Sequence, residues 1–353
     1  MKKQDFAYIK LYEKIREEIT CGAYKYGDKL PSKRVLADET GTSVITVQHT
    51  YDILADEGYI EARERRGYFV IFNDKDTFPV PHRQPADRLP HTSTVLEDFP
   101  FSVFSKTVRR VLSNYGEVLL EKSAPFGIFE LKKAVSNYLA RSRDIYTTPE
   151  NILIGAGAEY FYSLLVQVLG RDTLFALENP SYEKIRKVYE TNGAKCDMLK
   201  MGNDGILSDE LDRTFAKVLH ITPFNSFPSG ITATASKRRE YIRWATENNA
   251  IIIEDDFDSE FSGLTKREDT VFSLAGSGNV IYMNTFSKTI APSIRMGYMV
   301  IPDSLMPIFT EKAGVYSCTV SALEQLVVAE FISSGDFERH LNRTRRKRRS
   351  MGC

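Results

Sequence analysis

The chain has 353 residues, 42% hydrophobic and 27% charged, with 47 Lys+Arg against 47 Asp+Glu. That length exceeds one small core and suits two or three domains, and the balanced charge argues for no particular partner, so a nucleic-acid site must lie in local clustering. The four cysteines, Cys21, Cys196, Cys318 and Cys353, have no CxxC or metal-like spacing and suit a reducing compartment. The N-terminus "MKKQDFAYIKLYEKIREEIT" lacks the apolar run of a signal peptide. No stretch approaches the roughly 20 apolar residues of a membrane span. These features predict a cytoplasmic protein with no membrane partner and no metal site.

From Tyr8 to Ile19, apolar residues recur at helical spacing. "GAYKYGDKLPS" breaks that helix, Ser32 is placed to cap "KRVLADET", and Gly41 to stop it. Ser43 caps a further helix, "VITVQHTYDILADE", that ends at Gly58. Val44, Val47, Tyr51 and Leu54 are expected to pack inward, with Ile45, Thr46 and His49 on other faces and Gln48 at the flank of the stripe. Strand-like "YIEAR" and "GYFVIF" follow, joined by a charged turn. Three helices and a hairpin in this order predict a winged helix-turn-helix, whose third helix enters the major groove. The alternative is a small helical subdomain with a solvated polar face.

Residues 73–97 carry Pro79, Pro81, Pro85 and Pro90 without apolar periodicity and read as a linker. Beyond them helices alternate with short apolar strands: "FELKKAVSNYLARSR", "ENILIGAG", "EYFYSLLVQVLG", "TLFALENP", "YEKIRKVYETNG", "KVLHIT", "ASKRREYIRWATENN", "AIIIEDD" and "NVIYMNT". This pattern predicts a parallel sheet covered on both faces, with ligands bound beyond the carboxyl ends of its strands.

Candidate chemistry follows those strand ends. "GAGAE", residues 155–159, opens a helix, so its backbone N–H groups can hold a phosphate. Asp255 ends a run of isoleucines, a costly place for a carboxylate unless it meets a cation such as a protonated pyridine nitrogen. Thr285 and Ser287 offer hydroxyls, Arg295 a planar fork for phosphate, and Tyr182 a ring to lie against another ring. Lys288, between Ser287 and Thr289, completes a set matching pyridoxal 5′-phosphate: Schiff-base lysine, pyridinium partner, phosphate cup and stacking ring.

The stretch "GDKLPSKRVLADETGTSVITVQHTYDILADEGYI…RRGYFV" resembles the DNA-binding domain of the GntR family over its full length. "ENPSYEKI", "ITPFNSFPSGITATASKRREYI", "IIEDDFDSEF" and "YMNTFSKTIAPSIRMGYMVIP" resemble the successive blocks of MocR-type regulators, GntR winged helices fused to a fold-type-I aminotransferase-like domain. The resemblance implies an α/β chain in three parts: a winged helix-turn-helix at 1–72, the linker at 73–97, and an aminotransferase class I/II-like domain at 98–353. It implies a regulator that binds a double-stranded DNA operator and senses pyridoxal phosphate or its adduct with an amine or amino acid. A homodimer is implied as well. Arg34 takes the place of a backbone-contacting arginine, Ser43, Thr46 and Gln48 the recognition-helix contacts, and Arg66 and Gly67 the wing tip. In the second domain Gly157, Ala158, Glu159, Tyr182, Asp255, Thr285, Ser287, Lys288 and Arg295 take the cofactor-binding places.

Several positions depart from the family pattern. Val44 stands where arginine is usual, Phe257 where a tyrosine would reach the cofactor, Asn225-Ser226 where histidine and glutamine are usual, and Lys132 where arginine is usual. The ending "GDFERHLNRTRRKRRSMGC" resembles the start of a helix into a C-terminal small domain, so that domain is expected to be missing. One helix is expected from about Ser321 to Arg349, with the end fraying after about His340. The alternative function is an aminotransferase that carries a winged helix.

Overall fold

The structure is a computed structural model of the chain and describes residues 7–73, 99–257, 259–261, 268–276 and 278–350. The chain divides into two compact units, Met1–His91 and Thr92–Cys353. Apart from Asn73, the expected linker at 73–97 lies outside the described residues.

In the first unit α1 (Ala7–Thr20) buries Leu11, Ile15 and Ile19, one face of its helical period. α2 (Lys33–Thr40) starts where the Ser32 hydroxyl accepts the Val35 N–H and stops at Gly41, whose φ of +66° needs no Cβ. α3 (Val44–Asp56) starts at Ser43, whose Oγ accepts the Thr46 N–H at 3.1 Å. β1 (Ile60–Arg63) and β2 (Gly67–Val70) pair antiparallel, Ile60 opposite Val70 and Arg63 opposite Gly67. Val47, Tyr51 and Leu54 are buried among Leu11, Ile15 and Ile60. Val44 departs from its expected inward packing. In the first turn of α3 no neighbouring turn covers it, and it is 44% exposed.

The second unit opens with α4 (Phe101–Tyr115) and α5 (Phe129–Arg143). β3 (Ile152–Gly155), α6 (Ala158–Leu169), β4 (Leu174–Asn179) and α7 (Glu183–Thr191) follow. Next come β5 (Lys195–Gly202), β6 (Gly205–Ile206), α8 (Ser208–Arg213), β7 (Val218–Ile221) and α9 (Ala235–Glu247). β8 (Ile251–Asp255), α10 (Val271–Ala275), β9 (Val280–Thr285) and β10 (Gly297–Val300) precede α11 (Met306–Ala313), α12 (Ala322–Ser333) and α13 (Asp336–Ser350).

Eight strands form one sheet in the order β3-β10-β9-β8-β7-β4-β5-β6. The central five are parallel, as expected for fully buried apolar strands. β10 runs against both its neighbours, and β6 against β5. β3 therefore points the same way as β9, and the carboxyl ends of β3, β4, β7, β8 and β9 share one edge.

Two expectations about the last helical segment fail. Gly335, at φ +75°, breaks the single expected helix into α12 and α13. No fraying follows His340: α13 runs on to Ser350, with His340, Leu341 and Thr344 buried. Phe337 and Leu341 join the cluster around Phe331, and His340 meets the Phe99 ring edge-on at 5.5 Å. Arg345 holds the Glu260 carbonyl through its Nε. The apolar stripe of this segment is covered by α4, α5 and the sheet, so the chain gains by keeping it helical.

Candidate functional site

In the first unit the expected nucleic-acid residues gather on the start of α3, the start of α2 and the hairpin turn. Ser43 and Thr46 hydroxyls are 2.9 Å apart at the first turn of α3. Arg34, Arg66 and Gly67 are exposed, Arg66 in the turn between β1 and β2 and Gly67, at φ +106°, as the first residue of β2. Gln48 is tied inward: its Oε1 accepts from Lys33, and its Nε2 donates to Asp52 at 2.5 Å and more weakly to the Tyr68 hydroxyl. It braces α2, α3 and β2 against one another. Ile45, in the first turn of α3, is 81% exposed.

In the second unit a cleft of about 420 Å³ opens at the shared edge of strand ends. Ala158, Glu159, Tyr182, Asp255, Thr285, Ser287, Lys288 and Arg295 all line it. Gly157 stands beside them: a Cβ there would come within 3.4 Å of Arg295 Nη2. Residues from α6, β8, β9 and the loops before α7 and after β9 thus meet in one place, as strand-end chemistry in an α/β sheet should.

Asp255 forms the floor. Its Oδ2 accepts the Tyr162 hydroxyl at 2.5 Å, and His220 Nε2 lies 3.7 Å away. The Tyr189 hydroxyl pairs with His220 Nδ1 at 2.7 Å and fixes the ring. Burial, and then the Asp255 charge, push the Tyr162 phenol well above its ordinary range, so it stays a donor. Asp255 Oδ1 is buried and has no hydrogen-bond partner among the described residues. A lone buried carboxylate oxygen facing a cleft is an acceptor for a cationic N–H.

The opposite wall is cationic. Arg295 pairs with Glu159 Oε2, and Lys184 Nζ reaches Glu159 Oε1 at 3.1 Å. Ser287 Oγ donates to the Ile294 carbonyl at 3.3 Å, a long bond. Lys288 Nζ sits 4.4 Å from the centre of the Phe257 ring, which stands where the family pattern has a hydroxyl-bearing ring. Tyr182 meets Phe227 edge to face at 5.9 Å across the mouth.

Periodicity did not identify the acidic support around this cleft. Glu178, at the end of β4, accepts Ser226 Oγ at 2.6 Å and the Thr222 N–H at 3.2 Å, and burial raises it to about 7. Asp256 points away from the cleft because successive strand-end residues alternate. It meets Arg143 at 2.6 Å and the Tyr282 hydroxyl at 2.7 Å. Glu260 accepts Asn284 Nδ2 at 2.8 Å, and burial again raises it to about 7. The doubled aspartate in "EDDFD" was the available signal, since two adjacent carboxylates at a buried strand end need two separate partners. Lys132 lies outside the cleft, with burial lowering its pKa.

"Bacterial regulatory proteins, gntR family" matches residues 7–70, and "Aminotransferase class I and II" matches residues 113–351. YdeL of Bacillus subtilis (strain 168), an uncharacterized HTH-type transcriptional regulator, is 33% identical over 98% of this chain and 78% of its own. The probable rhizopine catabolism regulatory protein MocR of Rhizobium meliloti is 30% identical, over 95% of this chain and 73% of its own. Among solved structures, the α-aminoadipate aminotransferase LysN of Thermus thermophilus, complexed with N-(5′-phosphopyridoxyl)-L-leucine, is 26% identical with a TM-score of 0.64. The match covers 71% of this chain and 65% of LysN. A kynurenine aminotransferase of Pyrococcus horikoshii is 22% identical with a TM-score of 0.65, covering 70% of this chain and 64% of that one. The chain thus spans a little under two thirds of the length of each solved structure.

Proposed function

The chain belongs to the MocR-type regulators, which join a gntR-family winged helix to an aminotransferase class I/II domain, and from that premise we propose that it reads an operator with its first unit and senses pyridoxal phosphate, or an amine captured by it, with its second. The observation that carries the reading is the cleft's donor set: Lys288, the unpartnered Oδ1 of Asp255, and Arg295 against the start of α6. The residues fit the cofactor. Asp255 offers a buried acceptor for a pyridinium N–H, Tyr182 a ring to lie along it, and Arg295 with the N–H groups of Ala158 and Glu159 a cradle for its phosphate. Lys288 would hold it covalently through Nζ.

Pyridoxal phosphate supplies an aldehyde that captures primary amines and a ring that draws electrons from them. The chain's own residues do the rest. Tyr162 and the His220–Tyr189 pair hold the Asp255 carboxyl group in place beneath the cleft, so a proton on the ring nitrogen is favoured. Phe227 and Phe257 line the cleft with Lys288, and the Phe257 ring lies 4.4 Å from Lys288 Nζ and gives it an apolar neighbour. In the first unit Arg34 and Arg66 would grip phosphates, while Ser43, Thr46 and the wing residue Gly67 set the approach to the groove. Gln48 would act by fixing Lys33 and Tyr68 in place. Two copies would pair to present two readers, in the cytoplasm, and amine capture would bias the DNA-binding state through a coupling free energy.

The test is borohydride reduction of the purified chain incubated with pyridoxal phosphate, followed by peptide mapping. The label should fall on Lys288 and vanish in Lys288→Ala. Alongside it, the chain should prefer DNA from its own gene neighbourhood to random duplex at physiological salt. Label on another lysine, or no DNA preference, defeats the reading.

A further inference from the structure

The cationic cradle of the cleft already holds an anion from the chain itself. Arg295, the fork aimed at the start of α6, pairs with the Glu159 carboxylate. Glu159 sits in the first turn of that 12-residue helix, so its carboxylate also answers the positive end of the helix dipole. Gly157, at φ +86° and without a side chain, lets Arg295 approach the backbone there. A phosphate bound in the cradle needs these same donors. Two anions cannot share one guanidinium and one helix start without repelling each other.

A second cation resolves the conflict. Lys184, on the first turn of α7, reaches the other carboxylate oxygen, Glu159 Oε1, at 3.1 Å. The three side chains form a chain of alternating charge, Arg295–Glu159–Lys184, along one wall of the cleft, each roughly half exposed. Glu159 can let Arg295 go and stay paired.

We propose that Glu159 is a built-in competitor for the phosphate of the ligand, and that Lys184 receives it when the phosphate takes Arg295. The idea rests on the reading of the cleft as a pyridoxal phosphate site. Its consequence is a site selective for phosphorylated ligands of high charge, because only a dianion repays the exchange of partners. Glu159 thereby sets the concentration at which the cofactor loads, and Lys184 sets how easily the exchange proceeds.

Equilibrium binding to the full 353-residue chain, followed by absorbance, tests this with two probes that differ only in the phosphate, pyridoxal phosphate and pyridoxal. Glu159→Gln should bind pyridoxal phosphate about three- to fivefold more tightly, the scale of a half-exposed ion pair, and bind pyridoxal unchanged. Lys184→Ala should weaken pyridoxal phosphate about two- to threefold by stranding the carboxylate beside the phosphate. In the Glu159→Gln background the same lysine change should do nothing. An unchanged or weaker Glu159→Gln, an equal gain for pyridoxal, or an undiminished Lys184→Ala effect in the double variant overturns the proposal. A chain that takes up neither probe, with or without Glu159, instead overturns the reading of the cleft.

Discussion

The two units prepare their ligand sites in opposite ways. On the winged unit the cations proposed to grip DNA, Arg34 and Arg66, stand exposed, as do Val44 and Ile45 in the first turn of α3. Along the cleft wall the charges already have partners within the chain, Arg295 with Glu159 and Lys184 with Glu159, and behind the cleft Arg143 pairs with Asp256. A long polyanion supplies so many contacts that its reader can leave them open to water, at a cost repaid by counterion release. A small ligand supplies few, and a buried site with unpaired charges would not fold around them. One oxygen is the exception, and it is the acceptor proposed above for the ring nitrogen of the cofactor. Asp255 Oδ1 is the buried oxygen of the cleft floor left without a partner among the described residues.

The largest expected effect breaks that exception. Asp255→Asn keeps the shape but removes the charge facing the ring nitrogen. It should weaken pyridoxal phosphate binding by roughly ten- to a hundredfold, the range of a buried charge-assisted hydrogen bond, and leave DNA affinity in the absence of cofactor unchanged. Equal affinity for the cofactor, read by titration, would move the ring elsewhere.

Two buried carboxylates, Glu178 on β4 and Glu254 on β8, sharpen the contrast through pH; Glu254 accepts the N–H groups of Val271 and Phe272 at 2.8 Å. Burial raises Glu178 from the ordinary carboxylate value of 4.5 to about 7 and Glu254 to about 8, against the hydrogen bonds that favour their ionised forms. Both have folded values above their unfolded ones. Their stabilisation is complete below pH 4.5 and is lost as pH rises, because the unfolded chain ionises first. Thermal unfolding should therefore show the second unit losing stability between about pH 4.5 and 8. Glu178→Gln should flatten the lower part of that decline, by about 3 kcal/mol at most. A stability that rises across this range contradicts the burial argument.

Much of this was legible in the sequence, and the rest was hidden for physical reasons. The alternation of buried strands and helices gave the sheet, and the residues after each strand gave the cleft, because strand-end chemistry obeys one rule of placement. β5 was invisible because "KCDMLKMG" carries lysines and an aspartate near the sheet edge, where burial no longer enforces an apolar run. β10 reads as part of a motif, and its reversed direction depends on non-local pairing with β3 and β9. Helical periodicity cannot foresee the break at Gly335, since the apolar stripe continues on both sides of it. Gln48 shows the limit of carrying a role over by position: its place on α3 suits a base contact, yet Lys33, Asp52 and Tyr68 claim its amide.

A smaller effect sharpens the open surface of the winged unit. Arg34→Ala should weaken binding to every duplex alike and lower the salt slope by about one unit, as loss of one phosphate contact requires. Thr46→Ala should change preference at particular base pairs instead. Gln48→Ala should act more as a loosened scaffold, lowering affinity for all sequences through the wing. Competition assays across a library of duplexes separate these patterns, and a base-specific loss for Arg34→Ala would reverse the assignment.

The smallest effect concerns what stands in the missing arginine's place. Val44 and Ile45 are 44% and 81% exposed in the first turn of α3, where a recognition helix meets base edges. Neither can donate a hydrogen bond, so neither reads guanine. Exposed methyl groups on a groove-reading turn match the one apolar feature of the major groove, the thymine 5-methyl. The sites this protein selects from random duplex should thus carry thymine under that turn. Replacing those thymines with deoxyuracil removes one methyl each and should cost about three- to fourfold in affinity, the worth of one buried methyl-sized group. Ile45→Ala should lose the same factor on thymine and nothing further on deoxyuracil. Val44→Arg should shift the preference toward guanine and steepen the salt dependence. If deoxyuracil binds as well as thymine, the exposed valine and isoleucine play no part in reading sequence, and the specificity of the turn reduces to Ser43, Thr46 and the shape of the duplex.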